Sequence, residues 1–164
     1  MSSDEQLFER LNNLRGSKTL IVGIGQTLKG DDGVGPSVCQ QLRQAKVSVE
    51  LLDAGTTPEN YIQPIIKKAP QNLLIIDAVD FGAPAGTIRL FEPEKLSSLF
   101  PSTHTPSPRL FIDIIRKDIE VKVFFVGIQP AHTKLGQPLS PVVTQAVQLL
   151  VNYLSKIFPP AESA

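Results

Sequence analysis

The chain has 164 residues, a length that suits one domain with one core, with 41% hydrophobic and 20% charged residues as in ordinary globular proteins. Lys+Arg and Asp+Glu both number 16, so the formal net charge is zero, which leaves out the basic excess that nucleic acid or an anionic membrane surface requires. A single cysteine, Cys39, rules out an intrachain disulfide and points to a reducing compartment. Along the chain, Leu7, Phe8, Leu11 and Leu14 recur at helical spacing over Asp4 to Leu14, predicting a short amphipathic helix in a charged N-terminal extension, residues 1–17. The extension lacks the apolar run of a signal peptide, and no stretch reaches the ~20 apolar residues of a membrane span. The expectation is a cytoplasmic protein.

The main domain is expected over residues 18–158. Lys18 to Ile24 is a short apolar run ending in glycine, as a strand buried on both faces reads. Gly35 to Gln44 predicts a helix, with Pro36 in its first turn and Val38, Cys39 and Leu42 inward. That placement makes Cys39 a core thiol and not a nucleophile. Val47 to Leu52 predicts a second strand and Pro58 to Lys68 a second helix, with Tyr61, Ile62, Ile65 and Ile66 on its apolar face. Asn72 to Ile76 is a third strand. Gly86 to Glu92 alternates as an edge strand with one wet face. Arg109 to Lys117 predicts a helix, Val121 to Val126 a central strand, Pro141 to Phe158 a long last helix, and residues 159–164 a frayed tail. This alternation of strands and helices argues for an α/β sandwich on a mostly parallel five-stranded sheet with one antiparallel edge strand.

Ligands of open α/β sheets bind beyond the carboxyl ends of the strands. Asp31 and Asp32 follow the first predicted strand, Asp53 the second, Asp77 and Asp80 the third, and Gln129 and His132 the last; His104 precedes the third main helix. Aspartate also makes turns and caps, so Asp53 and Asp80 read equally as turn formers and His132 as a surface loop residue. The clustering has a chemical consequence. Two carboxylates about 5 Å apart at an effective dielectric near 20 repel by roughly 3 kcal/mol. If Asp32 and Asp77 face each other, a proton or a cation must relieve that repulsion. Two carboxylates and an imidazole make a mixed O/N site suited to a borderline divalent ion such as Ni²⁺ or Zn²⁺, with coordination positions left open. A dinucleotide site fits less well: Gly23-Ile-Gly25 begins such a fingerprint, but its third glycine would fall at Leu28. Asp31 and Asp32 would also oppose a pyrophosphate.

These segments, in this order, resemble a known family. Gly23-Ile-Gly-Gln-Thr-Leu-Lys-Gly-Asp-Asp-Gly-Val-Gly35, Asp53-Ala-Gly-Thr-Thr-Pro-Glu-Asn-Tyr61, Ile76-Asp-Ala-Val-Asp-Phe-Gly82, Ser102-Thr-His-Thr105 and Gly127-Ile-Gln-Pro130 are similar to the five motifs of the [NiFe] hydrogenase maturation endopeptidases. The resemblance runs from Thr19 to Leu154, closest in form to the formate-hydrogenlyase (hydrogenase-3-type) branch. It implies a three-layer αβα fold and an aspartic-type endopeptidase that removes the C-terminal extension of a [NiFe] hydrogenase large-subunit precursor after nickel insertion. It also implies that Asp32, Asp77 and His104 contact the metal, with Asp53 implicated alongside them. The nickel is expected to arrive with the precursor and to be absent from the resting enzyme, which is expected to be a monomer with an exposed groove for its folded partner. No Ser/His/Asp or reactive-cysteine arrangement is visible, so water is the expected nucleophile, activated by the metal or by an aspartate such as Asp53. Two rival readings follow from the same residues: an assembly chaperone that binds the nickel-loaded precursor without cutting it, and a metallohydrolase with its own resident ion. Two departures from the family pattern stand out: Gln26 replaces the usual Asn, and Ser107-Pro108 replaces a Pro-Leu pair.

Overall fold

The computed structural model describes residues 3–100 and 107–161. Its elements, in order, are α1 (Ser3–Asn12), β1 (Thr19–Ile24), α2 (Val34–Gln44), β2 (Glu50–Gly55), α3 (Ile62–Lys68) and β3 (Asn72–Ala78), followed by β4 (Ile88–Phe91), α4 (Leu96–Leu99), α5 (Pro108–Asp118), β5 (Lys122–Ile128) and α6 (Pro141–Ile157). The strands form one sheet in the order β2-β1-β3-β5-β4. Every neighbouring pair is parallel except β4 with β5, which is antiparallel at the edge.

Side chains alternate across the sheet and fill two cores. On one face Ile21, Leu74, Ile76 and Val126 pack with Val38 and Leu42 of α2 and with Val147, Leu150 and Leu154 of α6. On the other, Val22, Leu73, Ile75 and Phe125 pack with Ile65 of α3 and with Phe111, Ile112 and Ile115 of α5. This is the expected three-layer α/β arrangement. The chain leaves β1 toward β2 on one side and returns to β3 on the other, so the strand order reverses between β1 and β3, and a crevice opens at their carboxyl ends.

Several boundaries move, each for a physical reason. The second strand begins at Glu50, not Val47; Val47 instead pairs with Pro160, and the Ser48 N–H donates to the Phe158 carbonyl. Part of the expected tail is therefore tied down. β3 continues through Asp77 and Ala78, which pair with Gly127 and Ile128, so Asp77 is a strand residue and not a loop residue. Pro58 to Tyr61 forms a 3-10 turn ahead of α3, and the short α4 forms in a stretch whose periodicity predicts no element. In the N-terminal segment, Leu7, Leu11 and Leu14 are buried in the α2/α6 core. α1 thus packs as part of that core. No helix of the described residues is long and apolar enough to cross a membrane.

Candidate active site

The crevice owes its shape to two glycines. A Cβ on Gly35, in the first turn of α2, would fall within 2.6 Å of the Ile76 carbonyl oxygen and closer still to the Ile24 backbone. A Cβ on Gly23 would strike the Gly35 carbonyl. Their absent side chains let α2 sit directly on the ends of β1 and β3. The 3-10 turn Gly30–Gly33, which carries Asp31 and Asp32, is thereby brought against the end of β3. We expect Gly35→Ala to cost about 3 kcal/mol or more, because backbone and not a flexible side chain blocks the methyl group. Urea unfolding measures this, and an unchanged midpoint would show that the contact yields.

Asp32 is half-buried, and its Oδ2 accepts the Gln26 N–H at 3.0 Å. Gln26, the departure from the family's Asn, also accepts the Leu28 N–H through Oε1 at 3.3 Å, so the longer amide still closes the loop. Asp77 is only 6% exposed. Burial, reinforced by the neighbouring Asp32 charge, holds its carboxyl well above the usual carboxylate range, and the Ala78 N–H offsets this only in part. Asp32 and Asp77 therefore lie near enough at the switch point for the charge of one to act on the other.

The other candidates separate from this pair. Asp31 is fully buried and points the opposite way from its neighbour. Its Oδ1 accepts the Ser140 N–H at 2.7 Å, and its Oδ2 accepts Ser140 Oγ–H at 2.9 Å, the Ala131 N–H at 2.8 Å and the His132 N–H at 3.2 Å. Burial raises its pKa, but these bonds outweigh it and hold the carboxyl below its ordinary value. Asp31 is thus a clamp between the first loop and the segment before α6, not a member of a cation site. Asp53 lies inside β2 on the face of Leu51, toward α2, whereas Asp77 shares the opposite face with Ile75. Its Oδ1 accepts the Gly55 N–H at 3.0 Å, and it borders a polar groove of about 370 Å³ with Ser37, Gln40 and Arg43. Asp53 is thus separated from Asp77 by β1, while its groove also includes Gly30 and Gly33 of the turn that carries Asp32. Its charge, after burial, raises the Cys39 thiol to about 11, in keeping with an inert core cysteine.

Asp80 Oδ1 accepts from Gln129 Nε2 at 3.0 Å and from the Gly82 N–H at 3.1 Å, which hold its carboxyl below its ordinary value. Gln129 in turn accepts the Phe81 and Ala83 N–H groups, so these two residues brace the loop after β3. The His132 ring lies over Gly30, where a Cβ would come within 2.6 Å of Nδ1, and Nδ1 accepts the Lys134 N–H at 3.3 Å. His132 is a packing residue. His104 lies outside the described residues. Among the described residues, no three His, Cys, Asp or Glu side chains form a metal-holding group.

Composition did not reveal what lies beside Asp77. Its wall continues into a pocket of about 270 Å³ between α3 and α5, lined by Ile24, Ile62, Phe100, Phe111 and Ile114. One signal for it was readable: Ser107 caps α5 by accepting the Arg109 N–H at 3.1 Å, with Pro108 at the first helical position. That cap sets the start of the helix that walls the pocket.

Comparison with known proteins bears on this geometry. The family model described as HycI, hydrogenase maturation protease, matches residues 36–157. The hydrogenase 3 maturation protease of Escherichia coli (strain K12) is 33% identical over 137 residues, spanning 82% of this chain and 87% of that protein. The solution structure of the endopeptidase HycI from Escherichia coli superimposes with a TM-score of 0.77 at 31% identity, covering 85% of this chain and 90% of that one. The crystal structure of the [NiFe] hydrogenase maturation protease HycI from Thermococcus kodakarensis KOD1 gives a TM-score of 0.82 at 26% identity, covering 90% and 97%.

Proposed function

The chain belongs to the hydrogenase maturation protease family and is an endopeptidase, and from that premise we propose that it removes the C-terminal extension of a [NiFe] hydrogenase large-subunit precursor once nickel is in place. The observation that carries this reading is the Asp32–Asp77 pair. A buried carboxyl within range of a second carboxylate's charge is a costly arrangement. An arriving divalent cation relieves it, and the strand end and the Gln26 N–H already orient both groups.

In this reading nickel is part of the substrate. Asp32, Asp77 and His104 complete its coordination sphere, so only a metal-loaded precursor seats fully. Asp77 releases a proton as it binds, which couples recognition to pH. Seating fixes the peptide bond near the metal, and such positioning alone contributes several kcal/mol to lowering a barrier. Water is the nucleophile. Asp53 faces the other side of the sheet, so the reading gives the metal contacts to the pair and His104.

The test is the mass of the product. Purified chain mixed with nickel-loaded precursor is expected to release the extension, and mixed with nickel-free precursor to release nothing. Asp32→Ala and His104→Ala are each expected to slow release at least about 100-fold. Binding without any change of mass would instead support a non-cleaving chaperone, and unaltered rates in both variants would overturn the assignment.

A further inference from the structure

We infer that the apolar pocket beside Asp77 is a subsite that seats an apolar side chain of the precursor next to the bond being cut. This rests on the endopeptidase reading above and goes beyond it by naming what the chain selects. Three observations support it.

The first is continuity: Asp77, Ile24, Ile62, Phe111 and Ile114 line one cavity, so whatever fills it lies against Asp77 of the proposed site. The second is the outer face of α5. Leu110 is 59% exposed and Ile114 is 36% exposed. A single exposed leucine is ordinary. Two apolar residues four apart make one ridge on a helix, and here both border the pocket. The third is size and chemistry. At about 30 Å³ per water molecule, the volume of about 270 Å³ holds a leucine, methionine or phenylalanine side chain. Its apolar walls offer few partners to a buried polar group. Glu59 on its lining disfavours an acidic one.

An endopeptidase acts on an extended peptide, and side chains near the cut are the groups that can enter such a pocket. Leucine is therefore preferred over alanine, and both over aspartate, at one of the positions flanking the scissile bond. Methylene-scale differences in an apolar pocket change kcat/KM by about 10–200-fold, and a Leu-to-Ala exchange falls in that range.

The experiment uses the full-length chain and the nickel-loaded large-subunit precursor that it processes. Each residue flanking the cut is replaced in turn by Leu, Ala and Asp, with nickel content checked before assay. At one position, the Leu form is expected to be cut at least tenfold faster than Ala and faster still than Asp. Ile114→Lys, at the mouth of the pocket and tolerant of a polar end group, should slow the Leu form about tenfold and speed the Asp form relative to wild type. Leu110→Lys provides a second variant with the same expected direction if Ile114→Lys fails to fold. Wild-type rates within twofold for all three residues at every flanking position would overturn the subsite, as would Lys variants that slow all three forms equally. Failure to cut the unaltered precursor would instead count against the proposed function, so the two failures are distinguishable.

Discussion

Asp77→Asn is expected to raise the melting temperature of the isolated protein near pH 8 by about 2–5 °C while slowing precursor processing at least about 100-fold. The sign follows from burial and from the Asp32 charge, which together lift the Asp77 carboxyl well above its usual range. A carboxyl whose folded-state pKa is raised favours the fold only while protonated. Its contribution is complete below the unfolded value of 3.8 and is lost as pH rises through the folded value. The wild-type fold thus becomes progressively more strained as pH rises, whereas asparagine does not titrate. The difference in melting temperature between variant and wild type should be small near pH 4 and widen toward pH 8. Calorimetry across that range measures it; a variant equally or less stable at every pH would show that the pair is not held under electrostatic tension. Opposite signs for stability and activity are the signature of a group retained for its chemistry and not for the fold.

Asp31→Ala should have the larger effect on stability, a loss of about 3 kcal/mol or more. Four donors converge on this one buried carboxylate, and removing it leaves the Ser140, Ala131 and His132 N–H groups without their acceptor. Such a loss is a large fraction of the ~5–15 kcal/mol that holds a domain folded. Asp31→Asn should fall between, since an amide keeps one acceptor oxygen but turns an NH₂ toward these donors. The pH dependence is opposite to that of Asp77. Hydrogen bonding outweighs burial and depresses the Asp31 pKa. Its stabilisation is complete above the usual value of 3.8 and is lost as pH falls through the lower folded value. Urea unfolding at pH 7 and in acid should therefore show wild type and Asp31→Ala converging at low pH. A midpoint unchanged at pH 7 would mean that water replaces the clamp.

Adjacent aspartates with opposite roles show where reading the chain in one dimension stops. A 3-10 turn rotates each residue by about 120° relative to the last, so Asp31 bonds the segment before α6 while Asp32 bonds the Gln26 N–H of its own loop. Residue type and local spacing do not distinguish Asp31 from Asp32; the four donors that mark Asp31 come from residues as far away as Ser140, 109 positions on. Asp53 and Asp77 illustrate the same limit in strands. Both were expected just beyond strand ends, where side-chain direction is unconstrained. Each lies inside its strand, where strict alternation sends one to each face.

The sequence by itself determined the layer architecture, because hydrophobic periodicity and the alternation of short apolar runs with amphipathic segments admit few other packings. Motif order also made the family legible, and with it the expectation of Asp32, Asp77 and His104. The glycines of the first motif were readable as a pattern but not as a cause. Tertiary structure alone shows Gly23 and Gly35 in contact across the β1–α2 junction. It also decided which carboxylate stabilises the fold and which is raised by burial and a neighbouring charge, and that Asp77 opens onto an apolar pocket built from α3 and α5. Those outcomes depend on side-chain direction and on partners far apart in the chain, which emerge only when the sheet and helices close on one another.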